Sequence, residues 1–154
     1  MSPRTLGEQL ISEVPLLRVD QQLGTAVPTI VDADVPALPV VDADNRFAGI
    51  LGEREFIAAI SPGYLGDLHY AGFVTGAADD WLEKRSSCLG DPVSKHMNTE
   101  HIDVGPDWSD AQLAETFLHH RVLIIPVVDS GQVRGIVTRS AFFRALVERV
   151  ADSA

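Results

Sequence analysis

An internal repeat is the feature that most constrains the fold of this 154-residue chain. The segment Ile125–Phe143 matches Leu38–Phe56, and the matched residues lie 86 or 87 positions apart. Both copies contain Pro-Val-Val-Asp and, further on, Gly-Ile. Because a repeated segment folds as one supersecondary unit that packs on its copy, the repeat dictates the architecture before any local signal does.

Each copy predicts a hairpin followed by a helix. Val127 and Val128 follow a proline, and β-branched residues in that position favour the start of a strand. Ser130-Gly131 in the second copy and Asp44-Asn45 in the first are turn residues. Gly135–Thr138 is a short apolar strand. Such a unit cannot bury both faces of its small sheet alone, but two units packed together can.

The helix after the second hairpin carries an apolar stripe. The stripe recurs at i, i+3, i+4 and i+7 and predicts one buried face, made of Phe143, Leu146, Val147 and Val150. In the preceding helix, Asp110–His120, Ser109 and Gln112 match a capping box. Its predicted buried face consists of Ala111, Ala114, Phe117 and Leu118.

The first copy has equivalent elements. We expect a leading helix over Thr5–Ile11, a strand over Leu16–Val19 and a helix over Leu23–Asp32. Pro28 lies inside that last segment, where a proline breaks the hydrogen-bond ladder. This helix should therefore start near Thr25 or be kinked, and should be shorter than its counterpart.

Residues 61–90 separate the two copies and read as a helical connector. Either they are packed as an inter-repeat connector, or they form a lid or a partner surface. Disordered stretches are poor in aromatic residues, whereas this segment contains Tyr64, Tyr70, Phe73 and Trp81. We therefore predict that residues 62–85 fold against the two repeats or against a second copy of the chain.

Composition excludes several classes of protein. The formal net charge is -10, from 12 basic and 22 acidic residues, which argues against a broad surface for nucleic acid or an anionic membrane. The single Cys88 cannot form an intrachain disulfide, and the longest apolar run, Val122–Val128, is too short to span a bilayer. These features predict a soluble cytoplasmic protein.

Catalytic and metal sites are not predicted. No nucleophile with a plausible base partner emerges from the sequence. His119 and His120 are adjacent on a helix and point about 100° apart, so they cannot easily share an ion. Neither HxxxH nor CxxC spacing occurs. We expect neither catalytic activity nor a bound metal ion.

The second copy contains a recognisable pattern: Met97, Thr99, Ile102, Val104, Pro106, Ala111, Ile125–Asp129 and Gly135–Thr138. It resembles the CBS domain, and two such domains in tandem resemble a Bateman module. The resemblance covers the repeats at 14–60 and 91–150. Outside the resembled pattern we expect a lead helix at 1–13, the helical insert at 61–90 and a frayed tail at 151–154. The resemblance implies an α/β (α+β) fold of two βαββα units paired about a pseudo-twofold axis.

The resemblance also implies a function. Bateman modules are regulatory and do no chemistry themselves, are frequently homodimers, and often hold AMP, ATP or S-adenosylmethionine in a cleft. Their signature is Gly, two apolar residues, Thr or Ser, two variable residues and Asp. Here the second repeat keeps Gly135 and Thr138 but has Ala141 at the Asp position. The first repeat has Gly52 at the hydroxyl position and Glu55 at the Asp position.

Candidate ligand-binding residues follow from this carry-over: Asn98, Thr99, His101, Ile102, Gly135, Thr138, Arg139 and Glu55. We expect the second repeat to host the ligand, with Thr138 and Arg139 at the phosphates and residues 98–102 near the base. Glu55 is a candidate for holding a ribose. The alternatives are that Thr138 caps the last helix and that Arg139 and Glu55 are solvated. Because Ala141 offers no ribose acceptor, affinity should be on the order of micromolar or weaker.

Two classes of function remain open. The intact Gly135–Thr138 segment favours a regulatory module that senses a small ligand. The incomplete signatures favour an assembly module without a ligand, which dimerises or docks on a protein partner that the sequence does not identify.

Overall fold

A computed structural model describes residues 9–61, 86–101, 103–105 and 107–152. The strands are β1 Leu17–Arg18, β2 Ala37–Val41, β3 Phe47–Gly52, β4 Ile124–Asp129 and β5 Gln132–Thr138. The helices are α1 Leu23–Ala33, α2 Glu53–Ile60, α3 Val93–His96, α4 Asp110–His119 and α5 Arg139–Asp152, with a 3-10 helix at Ser86–Gly90. The predicted mixed α/β architecture of two repeats is confirmed.

Each repeat builds its own small sheet. β1 runs parallel to β2, and β2 pairs antiparallel with β3. In the second repeat β4 and β5 form an antiparallel hairpin, and Val104 makes a parallel bridge to Val127. Leu17 pairs in parallel with Val40 at the equivalent place in the first repeat. Among the described residues, Val104 therefore contributes a single bridge at the place where the first repeat has β1.

The segments that lead into the two repeats cross over to the opposite hairpin. The backbone of Ser12 exchanges hydrogen bonds of 2.9 and 3.0 Å with Ile136 on β5. The backbone of Asn98 exchanges bonds of 2.8 and 3.0 Å with Ile50 on β3. Each hairpin is therefore extended by backbone from the other half of the chain. This exchange is a consequence of long-range pairing and has no local sequence signature.

The core has one apolar cluster in each repeat and a third between them. The third cluster packs Ala37 and Ile50 of the first sheet against Ile124 and Ile136 of the second. Burial of apolar surface is the main driving force for such pairing. Neither hairpin could therefore bury this face by itself, as the repeat predicts.

Helix α1 is not shortened by Pro28. It begins at Leu23 and has 11 residues, against 10 in α4, so the predicted late start and shorter length are wrong. The buried residues Leu23, Ala26 and Ile30 anchor one face of the helix from its first turn onward. Tertiary packing here outweighs the loss of one backbone hydrogen bond.

The capping box of α4 is confirmed, but its predicted buried face is only partly correct: Ala114 and Phe117 pack against the core, whereas Ala111 and Leu118 are exposed. The Ser109 hydroxyl accepts a hydrogen bond of 3.1 Å from the Gln112 amide, and the Gln112 side chain accepts one of 2.9 Å from the Ser109 amide. The fully buried residue is Leu113, whereas Leu118 is 78% exposed. The helix rests on the sheet through Leu113 and Phe117, so Leu118 points outward.

Helix α5 forms where its apolar period predicts it, but that stripe is not buried. Its buried residue is Phe142, whose ring centroid lies 5.5 Å from that of Phe117. All four stripe residues are exposed, Phe143, Leu146, Val147 and Val150. The repeats bury the side of α5 next to the stripe, and the stripe is left facing outward.

Two predictions lie outside the described residues: most of the leading helix over Thr5–Ile11, and the packing of residues 62–85. Among the residues that are described, no helix combines the length and the apolar character needed to cross a membrane.

Candidate functional site

A cavity of about 360 Å³ opens between the two repeats. The first repeat contributes the start of β2, Ile50 on β3 and the first turns of α2, and the connection from α4 to β4 closes the cavity from the second repeat. It is lined by Pro36, Ala37, Ile50, Glu53, Arg54, Glu55, Ile57, Asn98, Arg121, Val122, Leu123 and Ile124. A mainly apolar cleft with a few charged groups is the usual form of a small-molecule site.

Glu55 is the half-buried carboxylate of this cavity. Burial raises the pKa of Glu55 above its ordinary value, because the ionised form loses hydration. Hydrogen bonds from the backbone N–H groups of Gly52 and Glu55 itself, and the charge of Arg54, oppose this effect but do not cancel it. The carboxylate therefore sits in the cleft with incomplete compensation of its charge.

The variant Glu55→Gln should be more stable than the wild type near neutral pH. A carboxyl with a raised folded-state pKa costs stability above that pKa, and the cost disappears below the pKa of the unfolded chain. The advantage of the glutamine should therefore shrink as pH falls to about 4. Urea unfolding at both pH values measures it, and an advantage that grows on acidification would contradict the assignment.

Gly52 has no room for a side chain. A Cβ at this position would lie 2.4 Å from both the Pro36 carbonyl oxygen and the Ala37 Cβ. The Glu53 amide donates a 3.0 Å hydrogen bond to that same carbonyl, which holds the two strands close. The Thr or Ser hydroxyl of the CBS signature therefore cannot be accommodated at position 52, because the side chain would overlap Pro36 and Ala37.

Asn98 belongs to the first hairpin through its backbone bonds to Ile50, and it lines the cavity with Glu55. Its side-chain oxygen accepts a hydrogen bond of 2.9 Å from the Glu100 amide, which shapes the turn that follows. Thr99 is exposed. Two of the predicted residues, Asn98 and Glu55, are thus brought together in one cleft.

His101 packs on the first hairpin, with its ring centroid 4.2 Å from that of Phe47. Its Nδ1 is buried and lies 3.4 Å from Oδ1 of Asp103, without a hydrogen bond among the described residues. His101 is not among the described residues that line the cavity. Ile102, the last of this predicted group, lies outside the described residues.

The second repeat uses its signature residues for structure. The Thr138 hydroxyl accepts a 3.1 Å hydrogen bond from the Ala141 amide, which is how a threonine caps a helix. Arg139 is exposed and donates its backbone N–H to the Leu123 carbonyl at 2.9 Å. Gly135 is buried, and a Cβ there would lie 2.5 Å from the Ser12 carbonyl oxygen.

The structure brings Asn98 together with Glu55 and not with Thr138 and Arg139, the grouping that the sequence predicts. Asn98 pairs with Ile50 in the first repeat, and the segment beside Gly135 is Ser12 instead. The reason is the exchange of the leading segments between the hairpins. The cavity therefore combines Asn98 with Glu55, and neither Thr138 nor Arg139 is among its described lining residues.

Two arginines of the cavity were missed by sequence reasoning. Arg54 lies on the first turn of α2, and Arg121 lies just beyond α4. Both are exposed and line the cavity. Arg54 stands between the two candidate positions Gly52 and Glu55 and could have been found there. No local signal marks Arg121, because its role depends on how the second repeat faces the first.

A larger depression of about 680 Å³ lies between α4 and residues 103–105 and 107–108. Its side chains include Asp103, Asp107, Glu115, His119 and His120. Within the described part of the chain, no three His, Cys, Asp or Glu side chains are arranged to hold a metal ion. The described residues that line this depression are all different from those that line the Glu55 cavity.

The CBS domain family model matches residues 8–62 and 93–148. The chain therefore belongs to the CBS-domain family, and its two copies make it a CBS-pair regulatory module. The resemblance drawn from the sequence is confirmed.

Solved structures of the same fold support the architecture. The CBS domain of a membrane protein from Sphaerobacter thermophilus aligns with a TM-score of 0.69 at 24% identity, covering 92% of this chain and 86% of that one. CBSX2 in complex with AMP aligns with a TM-score of 0.69 at 19% identity, covering 96% and 98%. At these identities the likeness shows the fold alone.

A curated relative shares sequence over a shorter stretch. Inosine-5'-monophosphate dehydrogenase of Streptococcus pyogenes is 41% identical over 49 residues, which are 30% of this chain. The match spans only 10% of that enzyme's length. The relationship is thus to a segment of that enzyme.

Proposed function

We propose that this CBS pair senses an adenosine ligand, a nucleotide or S-adenosylmethionine, in the cavity that contains Glu55 and Asn98, and does no chemistry itself. The observation that carries the proposal is the half-buried carboxylate of Glu55 at the wall of an apolar inter-repeat cleft. A carboxylate can accept two hydrogen bonds from a ribose diol. The AMP complex of CBSX2, a protein of the same fold, is consistent with this ligand class.

The host is the first repeat in this proposal, unlike in the sequence prediction. Thr138 is engaged in capping α5, and Ala141 supplies no acceptor at the equivalent of Glu55. The first repeat supplies that acceptor and lacks only the hydroxyl. The roles of Thr99, His101, Gly135 and Arg139 in ligand binding stay predictions.

Glu55→Ala should weaken binding by roughly 10–100-fold, since hydrogen bonds to a charged group contribute about 1.5–3 kcal/mol. Calorimetry with AMP, ATP and S-adenosylmethionine measures it. Thr138→Ala is the matched control, because it removes the signature hydroxyl of the other repeat and should leave affinity nearly unchanged. The opposite pattern, with Thr138→Ala weakening binding and Glu55→Ala neutral, would place the site in the second repeat.

Our second proposal is that two copies of the chain form a dimer. It rests on large apolar side chains that are exposed at equivalent positions of the two repeats. Val31 on α1 and Leu118 on α4 lie 87 positions apart and are 70% and 78% exposed. Ile57 on α2 and Phe143 on α5 lie 86 positions apart and are 58% and 64% exposed. A contiguous apolar patch left in water usually marks an interface, and the exposed stripe of α5 forms such a patch.

The occupant that fits these side chains is a second copy of the chain. The exposed positions repeat with the internal pseudo-symmetry, and a twofold interface requires a self-complementary surface. Sedimentation velocity at tens of micromolar should show a dimer, and a monomer would refute the proposal. The two proposals share Ile57, which lines the cavity and is exposed on α2, whereas the α5 stripe lies outside the described cavity lining.

A further inference from the structure

The described charged side chains that line the Glu55 cavity include both signs in equal number. Glu53 and Glu55 contribute two carboxylates, and Arg54 and Arg121 contribute two guanidinium groups. At neutral pH the formal charges cancel. The other lining residues are apolar except Asn98. Among the described lining residues there is thus no excess of positive charge to match a chain of phosphates.

We infer that the cavity selects an adenosine ligand that itself carries both signs of charge, of the S-adenosylmethionine type, over nucleotides and above all over ATP. This inference rests on the proposed function of the same cavity. S-adenosylmethionine carries a sulfonium, an ammonium and a carboxylate. Its carboxylate can pair with a guanidinium, and its cations can approach the carboxylates.

The charges of this lining do not favour a ligand with several phosphates. A terminal phosphate carries about 1.5–2 negative charges at neutral pH, and further phosphates add more. Two guanidinium groups can pair with one phosphate, but Glu53 and Glu55 lie in the same lining and repel the others. Gly52 supplies no hydroxyl donor and has no room for one. Phosphate recognition in this cleft is therefore poorly supported.

The environment of Glu55 also favours a ligand that carries a positive charge. Its carboxylate is partly desolvated, and Arg54 compensates it only weakly. A ligand cation near this group would restore the lost stabilisation of the charged form. With the ribose diol on Glu55, a phosphate attached through C5′ of that ribose would instead add repulsion between like charges. The half-buried carboxylate thus favours a ligand with a positive atom.

Calorimetry in magnesium-free buffer should give S-adenosylmethionine a dissociation constant on the order of tenfold lower than that of ATP, with AMP between the two. Glu53→Lys should tighten ATP by a similar factor and weaken S-adenosylmethionine, because the lining then carries excess positive charge. Glu115→Lys makes the same change of charge on the exposed surface of α4, outside this cavity, and is the matched control.

The outcomes distinguish a failure of the ligand selectivity from a failure of the proposed function. If AMP or ATP binds as tightly as S-adenosylmethionine, or if Glu53→Lys changes ATP affinity no more than Glu115→Lys does, the selectivity is overturned while the proposed function stands. If none of the three compounds binds, the proposed function falls and the selectivity falls with it.

Discussion

Gly52→Ala is expected to lower the free energy of unfolding by about 1–3 kcal/mol, as overpacking of a tight site does. The added Cβ would stand 2.4 Å from the Ala37 Cβ and the Pro36 carbonyl oxygen. Neither neighbour is the end of a flexible side chain, and Ala37 is the direct partner of Gly52 across β2 and β3. Relief therefore requires the strands to separate.

Urea denaturation of the wild type and of Gly52→Ala measures this loss of unfolding free energy. Gly90→Ala is the matched control, since a Cβ at that position meets no atom within 4 Å. Equal midpoints for Gly52→Ala and the control would contradict the packing argument. A loss at Gly52 also means that a threonine there would restore the family hydroxyl only at the expense of the fold, so the first repeat must bind its ligand without that group.

The sequence was sufficient to predict the two-unit architecture. The Pro-Val-Val-Asp and Gly-Ile matches predict the positions of the hairpins, and the capping box at Ser109 and Gln112 predicts where α4 begins. These signals are local, so each can be read from neighbouring residues. The repeat then supplied the one long-range fact needed, that the two units pair.

The site could be predicted only in part. Glu55 and Asn98 were both found as candidates, but Asn98 was grouped with Thr138 and Arg139. Assigning it correctly requires knowing that its backbone pairs with Ile50 and that Ser12 takes the corresponding place on β5. Repeat alignment shows which residues are equivalent, but it does not show which hairpin receives which segment. Arg121 was missed for the same reason.

Helical periodicity predicted that α5 would have an apolar stripe, but not where the stripe would face. Phe142 and Ala145 meet the second-repeat core, while Phe143, Val147 and Val150 are exposed. Period alone cannot distinguish a face buried within a chain from one buried between chains. The wrong prediction of burial is thus itself informative, because it shows an apolar helix face that stays exposed within one chain.

The double variant Phe143→Ser/Val147→Ser should convert a dimer into a monomer at tens of micromolar. Burying a valine or phenylalanine side chain contributes about 1.5–3 kcal/mol, and a twofold interface contains every side chain twice. Dimer affinity should therefore fall at least about 100-fold. Both side chains are at least half exposed within one chain, so the unfolding of the monomer should change little. Sedimentation equilibrium measures the dissociation constant.

A matched control isolates the stripe from general effects on α5. Arg144→Ser/Glu148→Ser introduces the same two serines into the same helix, removes one charge of each sign, and changes only exposed residues outside the stripe. It should leave the dimer intact. If both double variants dissociate equally, the loss arises from the stability of α5 and the stripe is not the interface. If neither dissociates while the wild type is dimeric, the second copy must bind another surface, of which Val31 and Leu118 are the next candidates, because they are the exposed pair on α1 and α4.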